Sequence, residues 1–243
     1  MRIPRVFFED SLEIGATSIL SRDQAHYLGR VLRLNVGREV AVFNGEGGEY
    51  LCQITELDGR RGSILVKEHR ETDTESPVDI CLAIGLSKGD RFDWVVQKAT
   101  ELGVSLIQPL LTERSEIRLS DARLGKKMAH WQGIVTSACE QSGRTKIPRL
   151  NPPSSFSNFI GENTTRSLIL DPLAKSPLSE LPLADDTSSI NLIVGPEGGL
   201  SRDEIDLACD AGSIAARMGP RILRTETAPI AALAVIQLKL GDW

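Results

Sequence analysis

The hydrophobic positions of the chain change their period near residue 78. Residues 78–84 form an almost continuous apolar run, which predicts a strand. From Phe92 to Leu102, apolar residues recur at spacings of three and four, which predicts one face of a helix. Gly103 follows, where a glycine commonly ends a helix. A strand followed by a helix is the pattern of the remaining chain.

Further strands and helices follow in the same alternation. Strands are predicted over residues 104–111, 167–170, 190–194 and 214–218, and helices over residues 121–141, 201–211 and 226–240. Pro109 has no N–H group to donate to a strand ladder, so it indicates an edge strand or a strand end. Strands that alternate with helices predict a largely parallel sheet in an α/β fold.

The first 70 residues have a different pattern, with short strands and glycine turns. Ser21 and Gln24 have the spacing of a capping box, which predicts a short helix. Two strand-like runs, residues 38–43 and 49–54, flank an Asn-Gly turn and predict a hairpin. Short strands with glycine turns and few helices are typical of a small β-barrel.

A polar segment separates the two patterns. Residues 71–77 are polar and end in proline, which favours a linker. The chain has 243 residues, enough for a small domain and a medium one. We therefore expect a barrel domain over residues 1–70 and an α/β domain over residues 78–243.

Composition narrows the class of protein. Apolar residues make up 41% of the chain and charged residues 25%, as in ordinary globular domains. No apolar run approaches the ~18 residues of a membrane span, and acidic residues interrupt the N-terminal region where a signal peptide needs an apolar core. We expect a cytoplasmic protein that does not bind a membrane. The four cysteines lie far apart and there are three histidines, which argues against a metal site and favours single buried thiols.

The charge is unevenly distributed. The net charge is −5, which argues against a generally basic nucleic-acid-binding protein. Residues 113–149, however, contain eight basic and four acidic residues. The basic residues are Arg114, Arg118, Arg123, Lys126, Lys127, Arg144, Lys146 and Arg149, and the acidic residues are Glu113, Glu116, Asp121 and Glu140. Two interpretations are open: a surface for a phosphate-rich partner, or a solvated helix face with internal ion pairs.

Two glycine-rich corners carry the candidate chemistry. The first, residues 195–199, lies between a predicted strand and a capping box formed by Ser201 and Glu204. The second is residues 219–225, and a third loop over residues 170–172 also follows a strand. In parallel α/β sheets, ligands bind beyond the carboxyl ends of the strands.

The spacing of these loops restricts their ligand. None of them has the glycine spacing of a dinucleotide or a nucleoside triphosphate site. Exposed backbone groups without a phosphate cradle suit an adenine edge and a polar cofactor. A glycine-rich turn without a ligand stays open as the alternative.

The two corners also resemble a known family. Residues 195–201 with Glu204, and residues 218–228, closely resemble two motifs of the bacterial 16S ribosomal RNA uridine N3-methyltransferases, which belong to the SPOUT class. Met218 stands where the second motif is expected to have leucine. Shorter matching stretches follow the family's order along the chain: residues 1–5, 26–33, 101–104, 113–115 and 138–144.

The resemblance implies a fold and an activity. The fold would be a SPOUT-type parallel-sheet α/β domain with a C-terminal trefoil knot, preceded by a small PUA-like β-barrel that binds RNA. The cofactor would be S-adenosylmethionine, and the substrate would be N3 of uridine 1498 in the 16S RNA of the small ribosomal subunit. The protein would be a homodimer in which the partner chain completes each active site.

The resemblance also suggests roles for individual residues. The cofactor would be bound by Leu170, Pro172, Gly195, Glu197, Gly198, Gly199, Met218, Gly219, Leu223, Arg224 and Thr225. Glu197 would favour the cationic sulfonium or simply brace its loop.

Catalytic and RNA-binding residues are predicted in the same way. Arg114 and Arg144 are the candidates for phosphate and uracil-oxygen contacts, because a guanidinium suits both; surface ion pairing is the alternative. Uracil N3 must lose its proton before it can attack, and Glu140 and Glu226 are candidate bases that could equally cap a helix or orient an arginine. The barrel would position RNA through Arg5, Arg30 and Arg33.

Two other functions remain open at the level of the sequence. A related SPOUT enzyme could methylate a different base or a ribose 2′-oxygen. A non-catalytic RNA-binding or ribosome-assembly protein could retain the glycine corners without transferring a methyl group.

Overall fold

The structure, a computed structural model, describes residues 3–58, 60–115, 121–183 and 187–243. Met1, Arg2, Glu116 and Arg118, which belong to the matching N-terminal stretch and to the basic segment, lie outside the described residues. The chain divides into two compact units. The first combines Met1–Glu75 with Cys139–Ile147, and the second combines Ser76–Ala138 with Pro148–Trp243.

The first unit is built on a five-stranded sheet. Its strands are β1 (Arg5–Phe7), β2 (Thr17–Ile19), β3 (Glu39–Phe43), β4 (Glu49–Leu57) and β5 (Gly62–Arg70), in the order β1-β3-β4-β5-β2. The predicted hairpin is confirmed, because β3 and β4 pair antiparallel. Val6 of β1 and Leu20, next to β2, belong to one apolar core. Since these residues come from opposite edges of the sheet, the sheet curls around that core.

A short helical segment follows β2. Helix α1 (Arg22–His26) begins at the predicted capping box, in which Ser21 accepts the N–H of Gln24 and the Gln24 side chain accepts the N–H of Ser21. A π-helical turn, Tyr27–Val31, continues it.

The second unit is an α/β sheet with helices. In chain order its elements are β6 (Asp79–Gly85), α2 (Asp90–Glu101), β7 (Leu106–Leu111), α3 (Asp121–Ser142), β8 (Arg149–Leu150), β9 (Ser154–Ser155), α4 (Phe156–Glu162), β10 (Ser167–Leu170), a 3₁₀ turn (Leu178–Glu180), β11 (Ser189–Val194), α5 (Arg202–Asp210), β12 (Ile214–Ala216) and α6 (Thr227–Leu240). The strand order is β12-β10-β11-β6-β7-β8, with β9 also on β7, and every pairing is parallel. The predicted parallel sheet is confirmed.

Helix periodicity predicted the core of the second unit well. Phe92, Val95 and Val96 of α2 are at most 1% exposed. Gly103 has a φ of 83°, a left-handed conformation that favours glycine, directly after the end of α2. Strand β6 is buried along almost its whole length, because β11 and β7 flank it.

The prediction for Pro109 is wrong. Strand β7 is neither an edge strand nor ended by Pro109, because it pairs with β6 on one side and with β8 and β9 on the other. Leu106 and Ile107 pair with β8, whereas Leu110 and Leu111 pair with β9. The neighbouring strand is therefore interrupted opposite the proline, where no N–H group is required.

Two further observations concern membranes and cysteines. Across the described ranges, no helix is both long and apolar enough to span a bilayer. All four cysteines are free thiols. Burial raises the pKa values of Cys52, Cys81 and Cys139 to about 12, so these three thiols stay protonated at neutral pH.

Candidate functional site

The three loops predicted to bind a ligand meet at one edge of the parallel sheet. Strands β11 and β12 both pair with β10 in parallel, so the loops after these strands emerge side by side. They surround a cavity of about 720 Å³. All eleven residues predicted to bind the cofactor line it: Leu170, Pro172, Gly195, Glu197, Gly198, Gly199, Met218, Gly219, Leu223, Arg224 and Thr225. Arg114 and Glu226 line it too.

Close backbone packing explains the glycines of the first corner. A Cβ atom on Gly195 would lie 2.8 Å from the nitrogen of Leu200. A Cβ atom on Gly85, at the end of β6, would lie 2.6 Å from the nitrogen of Pro196. Gly199 has a φ of 69° and donates its N–H to the carbonyl of Pro196 at 2.9 Å. The loop therefore exposes main chain to the cavity in a form that larger residues would disrupt.

The predicted capping box holds the end of this loop and also fixes a second one. Ser201 Oγ accepts the N–H of Glu204 at 3.3 Å, and Glu204 Oε2 accepts the N–H of Ser201 at 2.8 Å. The other oxygen of Glu204 accepts the N–H of Glu113 at 2.8 Å. The neighbouring Arg114 then donates from Nη1 to the carbonyl of Gly198 at 2.9 Å. One carboxylate thus positions Arg114 against the glycine loop.

The second corner is joined to the first by a side chain. Thr225 is 9% exposed, and its Oγ1 donates to the carbonyl of Gly195 at 2.9 Å. Gly219 has a φ of 103°, which provides the left-handed turn after β12. The two corners therefore form one wall.

Two glutamates of the cavity differ in their bonding. Glu197 Oε1 accepts the N–H of Lys88 at 3.0 Å and a bond from Arg91 Nη1 at 3.1 Å, so its carboxylate braces the loop against the start of α2. Glu226 lies just before α6, and its Oε2 is buried with no hydrogen-bond partner among the described residues. Glu226 therefore has a buried carboxylate oxygen whose hydrogen-bonding capacity is used by none of the described residues.

Arg144 and Glu140 do not line this cavity but belong to the first unit. Arg144 is 4% exposed and forms an ion pair with Glu75, while its carbonyl accepts from Arg5 Nη2 at 2.9 Å. Glu140 Oε1 accepts the N–H of Phe7 at 3.0 Å. Burial raises the pKa of Glu140, and the Phe7 N–H and the positive charge of Arg5 oppose the rise only in part.

The three arginines predicted for the barrel lie in two settings. Arg5 pairs with Glu49 and lies over the ring of Phe43, 5.1 Å from its centroid. Arg30 and Arg33 are exposed on the π-helical turn and just after it. Only the latter two present their charge to solvent.

Sequence reasoning missed four charged residues of the cavity wall: Arg91, Asp171, Arg202 and Arg221. Asp171 is 5% exposed and lies 3.8 Å from Arg202, oxygen to nitrogen. Arg91 reaches the wall from the first turn of α2. Arg91 lies at the cavity wall because β6, the strand before α2, lies beside β11. No local sequence pattern indicates that these two strands are neighbours. Asp171 could have been found from the sequence, because it directly follows the predicted strand that forms β10.

Comparison with known proteins agrees with this geometry. Residues 74–237 match the family described as RNA methyltransferase domain, and residues 20–67 match the RNA methyltransferase PUA domain. The ribosomal RNA small subunit methyltransferase E of Buchnera aphidicola subsp. Schizaphis graminum is 34% identical over 244 residues, covering 99% of this chain and 98% of the relative. The protein of that name from Synechocystis sp. is 39% identical, covering 93% and 75%.

Two solved structures resemble the whole chain. One is a ribosomal RNA small subunit methyltransferase E from Neisseria gonorrhoeae bound to S-adenosyl methionine, with a TM-score of 0.92, 35% identity and full coverage of both chains. The other is a Legionella pneumophila protein in complex with the bound cofactor SAM, with a TM-score of 0.95, 36% identity and full coverage of both chains. The chain therefore belongs to the RNA methyltransferase family whose curated members are named ribosomal RNA small subunit methyltransferase E, with a parallel-sheet α/β methyltransferase fold and an N-terminal PUA-like domain.

Proposed function

We propose that this protein uses S-adenosylmethionine to methylate N3 of a uridine, expected at position 1498, in the 16S RNA of the small ribosomal subunit. The observation that carries the proposal is the single cavity lined by all eleven residues predicted for the cofactor. Its volume of about 720 Å³ lies in the usual range for small-molecule sites. Related proteins that bind SAM share the fold over their full length.

The residues present fit this cofactor. The loop of residues 195–199, with glycine at three of its five positions, lines the cavity with main chain that can offer N–H and C=O groups to an adenine edge. The bound cofactor would supply an electrophilic methyl group on a sulfonium. Leu170, Met218 and Leu223 provide apolar surface in the same cavity.

The chain itself must prepare the nucleophile. Uracil N3 carries a proton and attacks only once that proton has left. Glu226 places a carboxylate at the cavity wall, and this carboxylate is our preferred proton acceptor. Arg114, fixed beside Gly198, would stabilise the negative charge that develops on the uracil oxygens.

Arg144 and Glu140, which do not line the cavity, have a different role in the proposed function. Their direct contact with RNA or uracil stays a prediction. The buried pair of Arg144 with Glu75 supports a positioning role, in which it holds the segment Cys139–Ile147 within the first unit.

Methyl transfer to defined RNA tests the function. The protein would be incubated with labelled S-adenosylmethionine and either undermethylated small subunits or free 16S RNA, and the modified base mapped. We expect 3-methyluridine at position 1498. Transfer to another base or to a ribose oxygen would support a different RNA methyltransferase. Cofactor binding without any transfer would support a non-catalytic RNA-binding protein.

The cofactor cavity has its own test at Gly198. A Cβ atom there would lie 3.1 Å from Arg114 Cβ, and the branches of valine need more room. Gly198→Val should lower S-adenosylmethionine affinity by roughly tenfold or more in calorimetry. Gly161→Ala, where an added Cβ meets no atom within 4 Å, is the matched control. Unchanged affinity in the valine variant would remove this loop from the cofactor site.

We also propose that the first unit holds RNA through Arg30 and Arg33, the exposed pair on the π-helical turn and just after it. Phosphate contacts of this kind position RNA without reading its sequence. Replacing both with alanine should weaken RNA binding and reduce its salt dependence by about two counterions, without a change in cofactor affinity. Arg60→Ala with Arg61→Ala removes the same charge at another exposed turn and is the control. Equal weakening by both pairs would contradict a localised surface.

A homodimer is the proposed state of the protein. Helix α6 is apolar apart from Thr227, Gln237 and Lys239, and Leu238 on it is 68% exposed. A helix that is hydrophobic all round needs cover on every face, and a second copy of the chain would provide it. Sedimentation of the wild-type protein at twice the chain mass is the expected result.

With ribosomal RNA as substrate, we place the protein in the cytoplasm.

We propose, finally, that the C-terminal segment is threaded as a trefoil knot. The segment after β10 bonds to the chain beyond β12: Leu178 donates its N–H to the carbonyl of Arg217, which donates its own N–H to the carbonyl of Ser176. Lys239 Nζ, near the end of α6, donates to the carbonyl of Leu181 at 3.1 Å. These bonds support a loop wrapped around the C-terminal segment. Pulling on both termini should then give an extension shorter than that of 243 extended residues, because a tightened knot retains chain.

A further inference from the structure

A second cavity, of about 820 Å³, opens beside the cofactor cavity. It is lined by Lys88, Gly89, Asp90, Arg91, Trp94, Arg114, Glu197, Gly198 and Glu226. Five of these residues also line the cofactor cavity: Arg91, Arg114, Glu197, Gly198 and Glu226. Because the two cavities share this wall, a molecule in the second cavity would lie next to a cofactor in the first.

The second cavity contains a large exposed aromatic side chain. Trp94 of α2 is 42% exposed. Trp131, in the same unit, is by contrast buried, as is usual for a tryptophan. It is 3% exposed, its ring centroid lies 4.6 Å from that of Phe92, and its Nε1 donates to Asp93. An indole left open beside a cavity is a platform on which a nucleobase can stack.

The charged residues of the second cavity suit a nucleobase that becomes an anion during the reaction. Arg91 and Arg114 lie on the shared wall, where their guanidinium groups are held by Glu197 and by the carbonyl of Gly198. Glu226 contributes the buried oxygen that has no partner among the described residues. Cations for a developing negative charge and a carboxylate for a departing proton are therefore both present, next to the position of the methyl donor.

We propose that this cavity is the acceptor site, in which the uracil of a flipped-out uridine stacks on Trp94 with its N3 edge towards Glu226. The inference rests on the proposed function and adds the substrate's place to it. A base must leave its stack to reach such a cavity, as in other enzymes that act on bases. In this site the N3 proton would pass to the carboxylate of Glu226, the N3 electron pair would form the bond to the methyl carbon, and the carbon–sulfur bond would break with its electrons going to sulfur.

Substitution of Trp94 tests the stacking platform. Trp94→Ala should lower kcat/KM for small-subunit RNA by about 5-fold to 150-fold, the usual effect of removing one aromatic platform. Affinity for S-adenosylmethionine, measured by calorimetry, should stay at the wild-type value. Trp94→Phe should recover most of the activity, since it keeps a ring. Trp243→Ala, which removes a tryptophan that is 62% exposed and lines neither cavity, is the matched control.

The outcomes separate this inference from the proposed function. Wild-type transfer to uridine with an equally active Trp94→Ala variant would leave the function standing and overturn the acceptor site. A Trp94→Ala variant that sediments as a monomer would assign Trp94 to a contact between chains and would also overturn it.

A second experiment does not require the protein to transfer a methyl group. RNA carrying 5-iodouridine at the expected position would be irradiated with the protein, and the cross-linked peptide identified by mass spectrometry. A cross-link within Asp90–Glu101 at Trp94 is the expected result. If the wild-type protein methylates no RNA, this cross-link still decides the site: attachment elsewhere in the chain would count against it.

Discussion

Single side chains of the first unit are buried in ways that their residue types do not suggest. The side chains of Arg144 and Glu75 are 5% and 14% exposed and form an ion pair. The backbone N–H of Lys146 also donates to Glu75, so the pair holds the segment Cys139–Ile147. Removal of one partner leaves a buried charge without compensation, which is costly.

Arg144→Ala should therefore lower the free energy of unfolding by about 3–5 kcal/mol. Urea unfolding followed by circular dichroism measures the change. Arg149→Ala, at an exposed arginine nearby, should stay within about 0.5 kcal/mol of the wild type. If Arg144→Ala lost methyl transfer but kept full stability, the positioning role would be wrong and direct contact with the substrate would be favoured.

Glu140 should make stability depend on pH. Burial raises the pKa of this carboxyl, so the folded protein binds the proton more tightly than the unfolded chain does. The stabilising contribution is complete below the ordinary pKa of a glutamate and is lost as pH rises through the raised, folded-state value.

Glu140→Gln cannot ionise, yet its side-chain oxygen can still accept the N–H of Phe7. In urea unfolding at a series of pH values, the variant should gain stability relative to the wild type as pH rises from about 4, and the difference should then level off. Parallel stability curves at all pH values would show that the carboxyl has the same pKa in both states.

At the scale of elements, α3 carries two exposed glycines. Gly125 and Gly133 lie within Asp121–Ser142, and a Cβ atom added at either would meet no atom within 4 Å. Neither glycine has the positive φ that would strain a larger residue. A glycine inside a helix loses more backbone entropy on folding than alanine does.

Gly133→Ala should raise the free energy of unfolding by about 0.5–1 kcal/mol. A thermal scan should show a higher midpoint, with methyl transfer unchanged. Gly143→Ala, at a glycine with a φ of 95°, should do the opposite, because alanine is strained there. A lower midpoint for Gly133→Ala would show that this face of α3 is covered in the assembled protein.

Elements that depend only on residues close together in the sequence could be predicted. Both capping boxes were found from two residues each, since Ser201 and Glu204 are three positions apart and need nothing else. Strands β8 and β9 were not found, because two residues cannot display a period. Pro109 was misread for a related reason: the gap between β8 and β9 that accommodates it is formed by a distant part of the chain.

At the scale of the molecule, α6 presents an apolar face that we assign to a second copy. Leu238→Glu would place a charge on that face, and burying an unpaired charge costs several kcal/mol. The variant should sediment at the chain mass instead of twice that mass. Leu207→Glu, at an exposed leucine of α5 that is 43% exposed, should leave the mass unchanged. Monomers from both variants, or from the wild type, would contradict the assigned interface.

The candidate site was predictable in part. The glycine corners are local features, and strand ends in a parallel sheet converge, so all eleven residues predicted to bind the cofactor meet in one cavity. Arg91 and Trp94 were missed, because they enter through the pairing of β6 with β11, which the order of elements along the chain does not reveal. The burial of Arg144 was also hidden, since its partner Glu75 is distant in sequence.

The glycine-rich loop at the proposed cofactor cavity has a consequence for inhibitors. Amino-acid substitution changes side chains, whereas the C=O groups of residues 195–199, and their N–H groups apart from that of Pro196, which has none, persist in any variant that keeps the loop. Gly195 has little freedom to change, because a Cβ atom there would strike the nitrogen of Leu200 at 2.8 Å. A compound anchored to these main-chain groups would therefore leave few resistance mutations open, and, with the cofactor in the proposed cavity, most of those would also impair cofactor binding.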